Sequence, residues 1–131
     1  MPRENFFFNR IKSVGYALKG ALLLIRTEAS IQIQLCITIV VTIAGFYFEI
    51  TTTEWIFQIF AIAMVLGIEG INTAIEKMAD YVQPAYDKKI GIIKDISAGA
   101  VMLVSIGAAI IGYIIYLPKF CLLYTSDAAD E

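Results

Sequence analysis

Apolar positions in this chain fall into long blocks separated by short polar breaks, and the blocks differ in how they carry charge. Residues 6–28 (FFFNRIKSVGYALKGALLLIRTE) set Arg10, Lys12, Lys19 and Arg26 among Phe, Val, Leu and Ile at helical spacing. That pattern predicts a basic amphipathic helix lying in a membrane interface, with Phe6, Phe7 and Phe8 as an aromatic anchor. From Ile31 to Ile50 no charge appears until Glu49. Roughly 20 such residues suffice to cross a hydrocarbon core of about 30 Å. Thr51, Thr52 and Thr53, flanked by Glu49 and Glu54, end this first span in a polar turn. A second begins near Trp55, an aromatic suited to interfacial depth, and continues to Asp80. It is longer than a bilayer requires, so its end is expected to project into water. Pro84 breaks the pattern, and residues 81–93 read as a polar loop. The third span covers 94–117, where Ala108 and Gly112 allow close helix approach in lipid. Residues 118–131 change character and read as a disordered tail, open to being non-native. The pattern thus predicts an all-α membrane protein: an interfacial helix over 1–30 and spans over 31–50, 55–80 and 94–117.

Composition sharpens this reading. The 131 residues are 59% hydrophobic with a mean hydropathy of +0.75, against roughly 45–50% apolar for an ordinary globular domain. A soluble chain of this size could not hide so much apolar surface. The net charge of −2 gives no reason to expect a nucleic-acid partner. Histidine is absent, so proton transfer falls to carboxylates, lysine or tyrosine, and metal binding falls to oxygen ligands. Cys36 and Cys121 suggest neither a disulfide framework nor a thiolate metal site. No signal-peptide pattern opens the chain. Lys and Arg concentrate in the N-terminal helix and before the third span, and are missing from the Thr51–Thr53 turn. By the positive-inside rule the N-terminus and the loop before the third span face the cytoplasm.

That orientation gathers a set of charged groups at one boundary. At roughly 100° per residue, Glu69, Asn72, Glu76 and Asp80 lie in a stripe about 80° wide on the second span. They could be a helix end snorkelling into headgroups. Three acids and an amide on one stripe favour chemistry instead. Glu69 follows directly on the apolar run, where an ionisable group is costly and usually has a task, and it is a candidate general base. Glu76 and Glu28 are candidates for holding Mg²⁺, which binds through one or two carboxylates together with substrate phosphates. Lys94 can hold a phosphate as a point charge. Asp95 can steady Lys94 or accept from a nucleotide, or can be an acidic N-cap of the third span. No phosphate-binding glycine loop, kinase catalytic loop or dinucleotide fingerprint is present.

The run Glu69-x-x-Asn72-Thr73-Ala74-Ile75-Glu76-x-x-x-Asp80, followed by Lys94-Asp95-x-x-Ala98-Gly99-Ala100-Val101, resembles the signature of the small prokaryotic diacylglycerol kinases, which include undecaprenol kinases. Lys12-x-x-x-Tyr16-Ala17-x-x-Gly20, with Glu28 and Ala29 after it, is similar too, and the likeness covers about residues 5–117. It implies a homotrimer of three-span subunits in the bacterial inner membrane, transferring the γ-phosphoryl of Mg-ATP to a lipid hydroxyl. It further implies Glu69 as general base, Glu28 and Glu76 as Mg²⁺ ligands, and Asn72 as the group orienting the phosphoryl. Lys94, Asp95, Tyr16 and Tyr86 would contact the nucleotide. Diacylglycerol is the expected substrate and phosphatidic acid the product, with undecaprenol as the alternative. Ser97-Ala98-Gly99-Ala100 leans toward the polyprenol branch. A proton or ion transporter using intramembrane acids, and a membrane scaffold with merely solvated acids, are the readings from other classes.

Overall fold

A computed structural model describes residues 5–130, so the first four residues of the predicted interfacial helix and the last of the tail lie outside it. Four helices follow in order: α1 (Phe6–Thr27), α2 (Ala29–Tyr47), α3 (Thr52–Val82) and α4 (Lys88–Asp130). No strand occurs among the described residues. Three of them, α2 through α4, are long and apolar enough to cross a membrane.

Local chemistry sets each boundary. Asn5 caps α1 by accepting from the Phe7 amide at 3.3 Å. The break between α1 and α2 is the single extended residue Glu28, with φ −104° and ψ 113°. Gln32 stabilises that break by donating its side-chain amide to the carbonyls of Ile25 (3.0 Å) and Arg26 (3.3 Å), which α1 leaves without helical partners. At the other end of α2, the Ile50 amide bonds to Gly45 O and the Glu49 amide to Phe46 O, with Glu49 at φ 52°. This is the Schellman arrangement, built on a residue other than the usual glycine. Thr51 and Glu54 then form a reciprocal capping box that starts α3.

The structure corrects the sequence boundaries of the last span. Asp87 accepts from the amides of Lys89 (2.8 Å) and Ile90 (3.2 Å), so α4 starts at Lys88 and not at residue 94. Asp95 is therefore one full turn and more inside the helix, and the N-cap role considered for it belongs to Asp87. The helix also continues through Pro118 to Asp130, where a disordered tail was expected. Proline there removes one amide donor, and the Leu and Ala residues that follow have high helix propensity with no glycine to interrupt them. The segment from Cys121 to Ala129 is nonetheless exposed throughout.

Helices α3 and α4 form an antiparallel pair with a register fixed at both ends. Lys94 bonds to Asp80 at one end, and the Tyr116 hydroxyl to Gln58 near the other. The intervals 58–80 and 94–116 are equal, so the two helices run side by side for about 33 Å without slipping. Lys119 adds an ion pair to Glu54 at 2.8 Å beyond Gln58. The second contact is between α2 and α3, where Gln58 donates to Val41 O at 3.2 Å and the Phe46 and Trp55 rings lie 4.9 Å apart. Gly45 is required there, because a β-carbon would come within 2.6 Å of Trp55.

Few apolar side chains are buried, among them Ile31, Ile50, Ala79 and Ile115, whereas Gln58, Glu69, Asn72, Thr73 and Ser97 are buried polar residues. That inversion suits a membrane. Lipid solvates the exposed Ile, Leu and Phe residues as well as a protein core does, so cohesion between helices depends on close packing and on polar cross-links.

Candidate active site at the acidic end of the second span

Except for Tyr16, the groups predicted to carry chemistry lie toward one end of the bundle, in two layers. Glu69 and Asn72 form the inner layer; each is only 7% exposed. The Asn72 amide donates to Glu76 Oε1 at 3.3 Å, which leaves Asn72 Oδ1 buried without a partner. One turn of helix provides this contact, since positions four apart stack on the same face. Glu28 reaches the same region from the α1–α2 break, where Lys77 Nζ lies 3.3 Å from its carboxylate. Its side chain is about a quarter exposed. Gly70 is what lets α1 approach here, with its absent β-carbon 3.1 Å from Leu24.

The outer layer is a recess of about 290 Å³ formed by the end of α3, the connecting loop and the first turns of α4. Asp80, Tyr86, Lys94 and Asp95 all line it. Lys94 is held by Asp80, not by its neighbour Asp95 as the sequence suggested. Asp95 and Tyr86 are exposed, and Tyr86 retains 93% of its accessible surface. Tyr16 is not brought into this layer; it stands 72% exposed on α1 and does not line the recess.

Two features of the site were not assigned from sequence. The first is Gln34 on α2, which donates to Glu69 Oε2 at 3.4 Å and whose own Oε1 is buried without a partner. The second is a partly open cavity of about 580 Å³ lined by α2, α3 and α4. Glu69 and Gln34 lie at one end, Gln58 and Tyr116 at the other, and Val65, Leu66 and Ala108 are among the apolar residues between. A signal for Gln34 existed, as one of two amides, with Gln32, near the start of a mostly apolar span, but an amide in lipid could equally have been a helix-packing contact.

The donor set fits a hard cation that completes its coordination elsewhere. All the candidate ligands are oxygens, and Asn72 Oδ1 is a buried acceptor without a donor. No three acidic or cysteine side chains among the described residues stand close enough to hold a metal alone. Glu28 and Glu76 could hold Mg²⁺ only together with phosphate oxygens, the usual manner of binding for that ion.

The model of a family described as prokaryotic diacylglycerol kinase matches residues 15–116. The chain is 34% identical over 115 residues to an undecaprenol kinase of Bacillus subtilis, covering 88% of this chain and 91% of that one. It is also 29% identical to a diacylglycerol kinase of Synechocystis, covering 84% of this chain and 63% of the relative. Against the diacylglycerol kinase of Escherichia coli K12 the identity is 26%, over 79% of this chain and 85% of the other.

Proposed function

Since the chain belongs to the prokaryotic diacylglycerol kinase family and is a membrane lipid kinase, we propose that it transfers the γ-phosphoryl of Mg-ATP to the hydroxyl of undecaprenol, giving undecaprenyl phosphate. The single observation that carries the reading is a buried carboxylate, Glu69, lining a largely apolar cavity, with the Lys94–Asp80 recess about 16 Å farther along the same helix toward its polar end. A lipid hydroxyl can reach Glu69 from within the bilayer while a nucleotide reaches the same end from water.

In this reading Glu69 takes the proton from the lipid alcohol as its oxygen attacks the γ-phosphorus and the bond to the β-phosphate oxygen breaks, leaving ADP. Phosphoryl transfer demands chiefly positioning and charge neutralisation. Lys94 supplies a point charge to the phosphates, with Asp80 restraining its long side chain. Asn72 fixes Glu76 by donating its amide, and its free Oδ1 is left as an acceptor for a cation or a donor group. Mg²⁺, when bound by Glu28, Glu76 and phosphate oxygens, would neutralise the charge that develops on the transferring group. Lys77 is 66% exposed on a flexible stem, so it can leave Glu28 when the cation arrives. Asp95 and Tyr86 contact the nucleotide at the rim.

We place the N-terminus and this site on the cytoplasmic side of the bacterial inner membrane, where ATP is available, and take the protein to be a homotrimer. Support for the trimer comes from Tyr16, whose implied nucleotide contact is not assembled within one chain. Undecaprenol precedes diacylglycerol because the relative carrying that name matches at 34% over nine-tenths of its length, and because Ser97-Ala98-Gly99-Ala100 leans the same way. Diacylglycerol is the second reading, favoured by the names of the other relatives.

The test is ATP-dependent phosphorylation in mixed micelles containing both lipids, with labelled ATP and Mg²⁺. Preferential labelling of undecaprenol is expected. Preferential labelling of diacylglycerol would reverse the order of the two readings, and labelling of neither by folded protein would refute the kinase assignment of this site.

A further inference from the structure

We infer that Gln34 is a positioning residue for the reaction, acting through Glu69: its amide anchors one carboxylate oxygen so that the other faces the hydroxyl arriving in the apolar cavity. The inference rests on the proposed role of Glu69 as base. Among the described residues, Gln34 is the one side chain hydrogen-bonded to the Glu69 carboxylate, through Nε2 to Oε2 at 3.4 Å. The two come from different helices, α2 and α3, and both line the 580 Å³ cavity. A glutamate at the edge of hydrocarbon has three rotatable bonds and few polar neighbours to hold it. One donor from a second helix removes that freedom.

The contact is long for a hydrogen bond, and such contacts commonly tighten only when substrate is bound. Gln34 Oε1 strengthens the case, because a buried acceptor without a partner costs stability and here belongs to a residue lining the cavity. A purely structural amide in a span would be expected to satisfy both its ends against neighbouring groups, as Gln58 does by donating to the Val41 carbonyl and accepting from the Tyr116 hydroxyl.

Two substitutions test this. Gln34→Met keeps the length and removes the donor; Gln34→Asn keeps the amide but withdraws it by one methylene. Both are expected to lower kcat by about 10–100-fold, the range for losing a hydrogen bond to a charged group, with KM for ATP and for the lipid within about twofold of the parent. Steady-state kinetics in mixed micelles would be read beside Glu69→Gln. Unchanged kcat in either Gln34 variant, while Glu69→Gln is inactive, overturns the role of Gln34 and leaves the base intact. A raised lipid KM at unchanged kcat makes Gln34 a substrate-binding group and equally overturns it. Full turnover by Glu69→Gln removes the base itself, and the role of Gln34 with it. Should Gln34→Met fail to fold, Gln34→Asn carries the test, since it preserves a polar amide in the span.

Discussion

Replacing Glu69 by glutamine probes the chemistry at the point where the structure constrains it most. The new side chain has the same shape, so the 7% exposed position gains no cavity and loses no packing. The new amide would face the Gln34 Nε2 donor, but Gln34 can rotate its amide to offer Oε1, because that oxygen has no protein partner to lose. The fold and the recess around Lys94 are therefore expected to survive, with little change in stability. On the proposed mechanism, what disappears is the proton acceptor. General-base catalysis contributes about 10²–10⁴ in rate, or roughly 3–5 kcal/mol of barrier. The expected outcome is a kcat lowered by at least about a hundredfold with KM for Mg-ATP within about threefold, measured by transfer of labelled phosphate to lipid in micelles. A KM for ATP that rises in proportion to the loss of kcat would refute the reasoning and reassign Glu69 as a ligand of the nucleotide or its metal.

Other outcomes follow from named contacts. Glu28→Gln and Glu76→Gln are each expected to raise the Mg²⁺ concentration for half-maximal activity by about tenfold or more; metal titrations that superimpose on the parent would exclude the metal role. Lys77→Gln should shift the same titration the other way by about two- to fivefold, the worth of a solvent-exposed ion pair that the cation no longer has to displace. Gly45→Ala places a β-carbon 2.6 Å from Trp55 and is expected to destabilise the fold by about 1–3 kcal/mol. Gly107→Ala, with nothing within 4 Å, serves as its control in detergent unfolding and should be neutral or slightly stabilising. A chain ending at Phe120 keeps the Lys119–Glu54 pair and should retain full activity, since residues 121–129 are exposed and line neither the cavity nor the recess; lost activity would give that segment a role.

Hydrophobic patterning located the three spans and the stripe because both are periodic features of a single helix. The Glu69–Asn72–Glu76 grouping was legible for that reason: residues three and four apart must share a face whatever packs against them. Contacts between helices were less so. Asp95 stood next to Lys94 in sequence and was the natural partner for it, yet adjacent residues on a helix point about 100° apart. The group that reaches Lys94 is Asp80, delivered by the antiparallel register of α3 and α4. Gln34 meeting Glu69, and Lys77 meeting Glu28, depend likewise on helices whose mutual register the sequence does not display. The start of α4 was misplaced for a local reason, because the charged pair Lys88-Lys89 read as loop while Asp87 was in fact capping them into helix.

The length of α3 explains why such a small chain can bring a water-soluble and a lipid-soluble reactant together. Measured from Thr52, the helix rises about 26 Å to Glu69 and about 42 Å to Asp80, against a hydrocarbon core of about 30 Å. With Thr51 and Trp55 at one interface, Glu69 falls at the opposite margin of the hydrocarbon and Asp80 well outside it. By this reckoning of helix length the residues between them, Asn72 and Glu76, fall at headgroup depth, where on the proposed reading phosphate and lipid alcohol would meet. Lys94 is tied to Asp80, so on the proposed reading the recess that would take the nucleotide keeps its height relative to Glu69. Were α3 one turn shorter between Gln58 and Glu69, Glu69 would sink about 5 Å into hydrocarbon and lose its access to phosphate. One turn longer would lift it out of reach of the cavity. The depth of the site is thus set by the same register that holds α3 to α4, with the Gln58–Tyr116 bond as its fixed point.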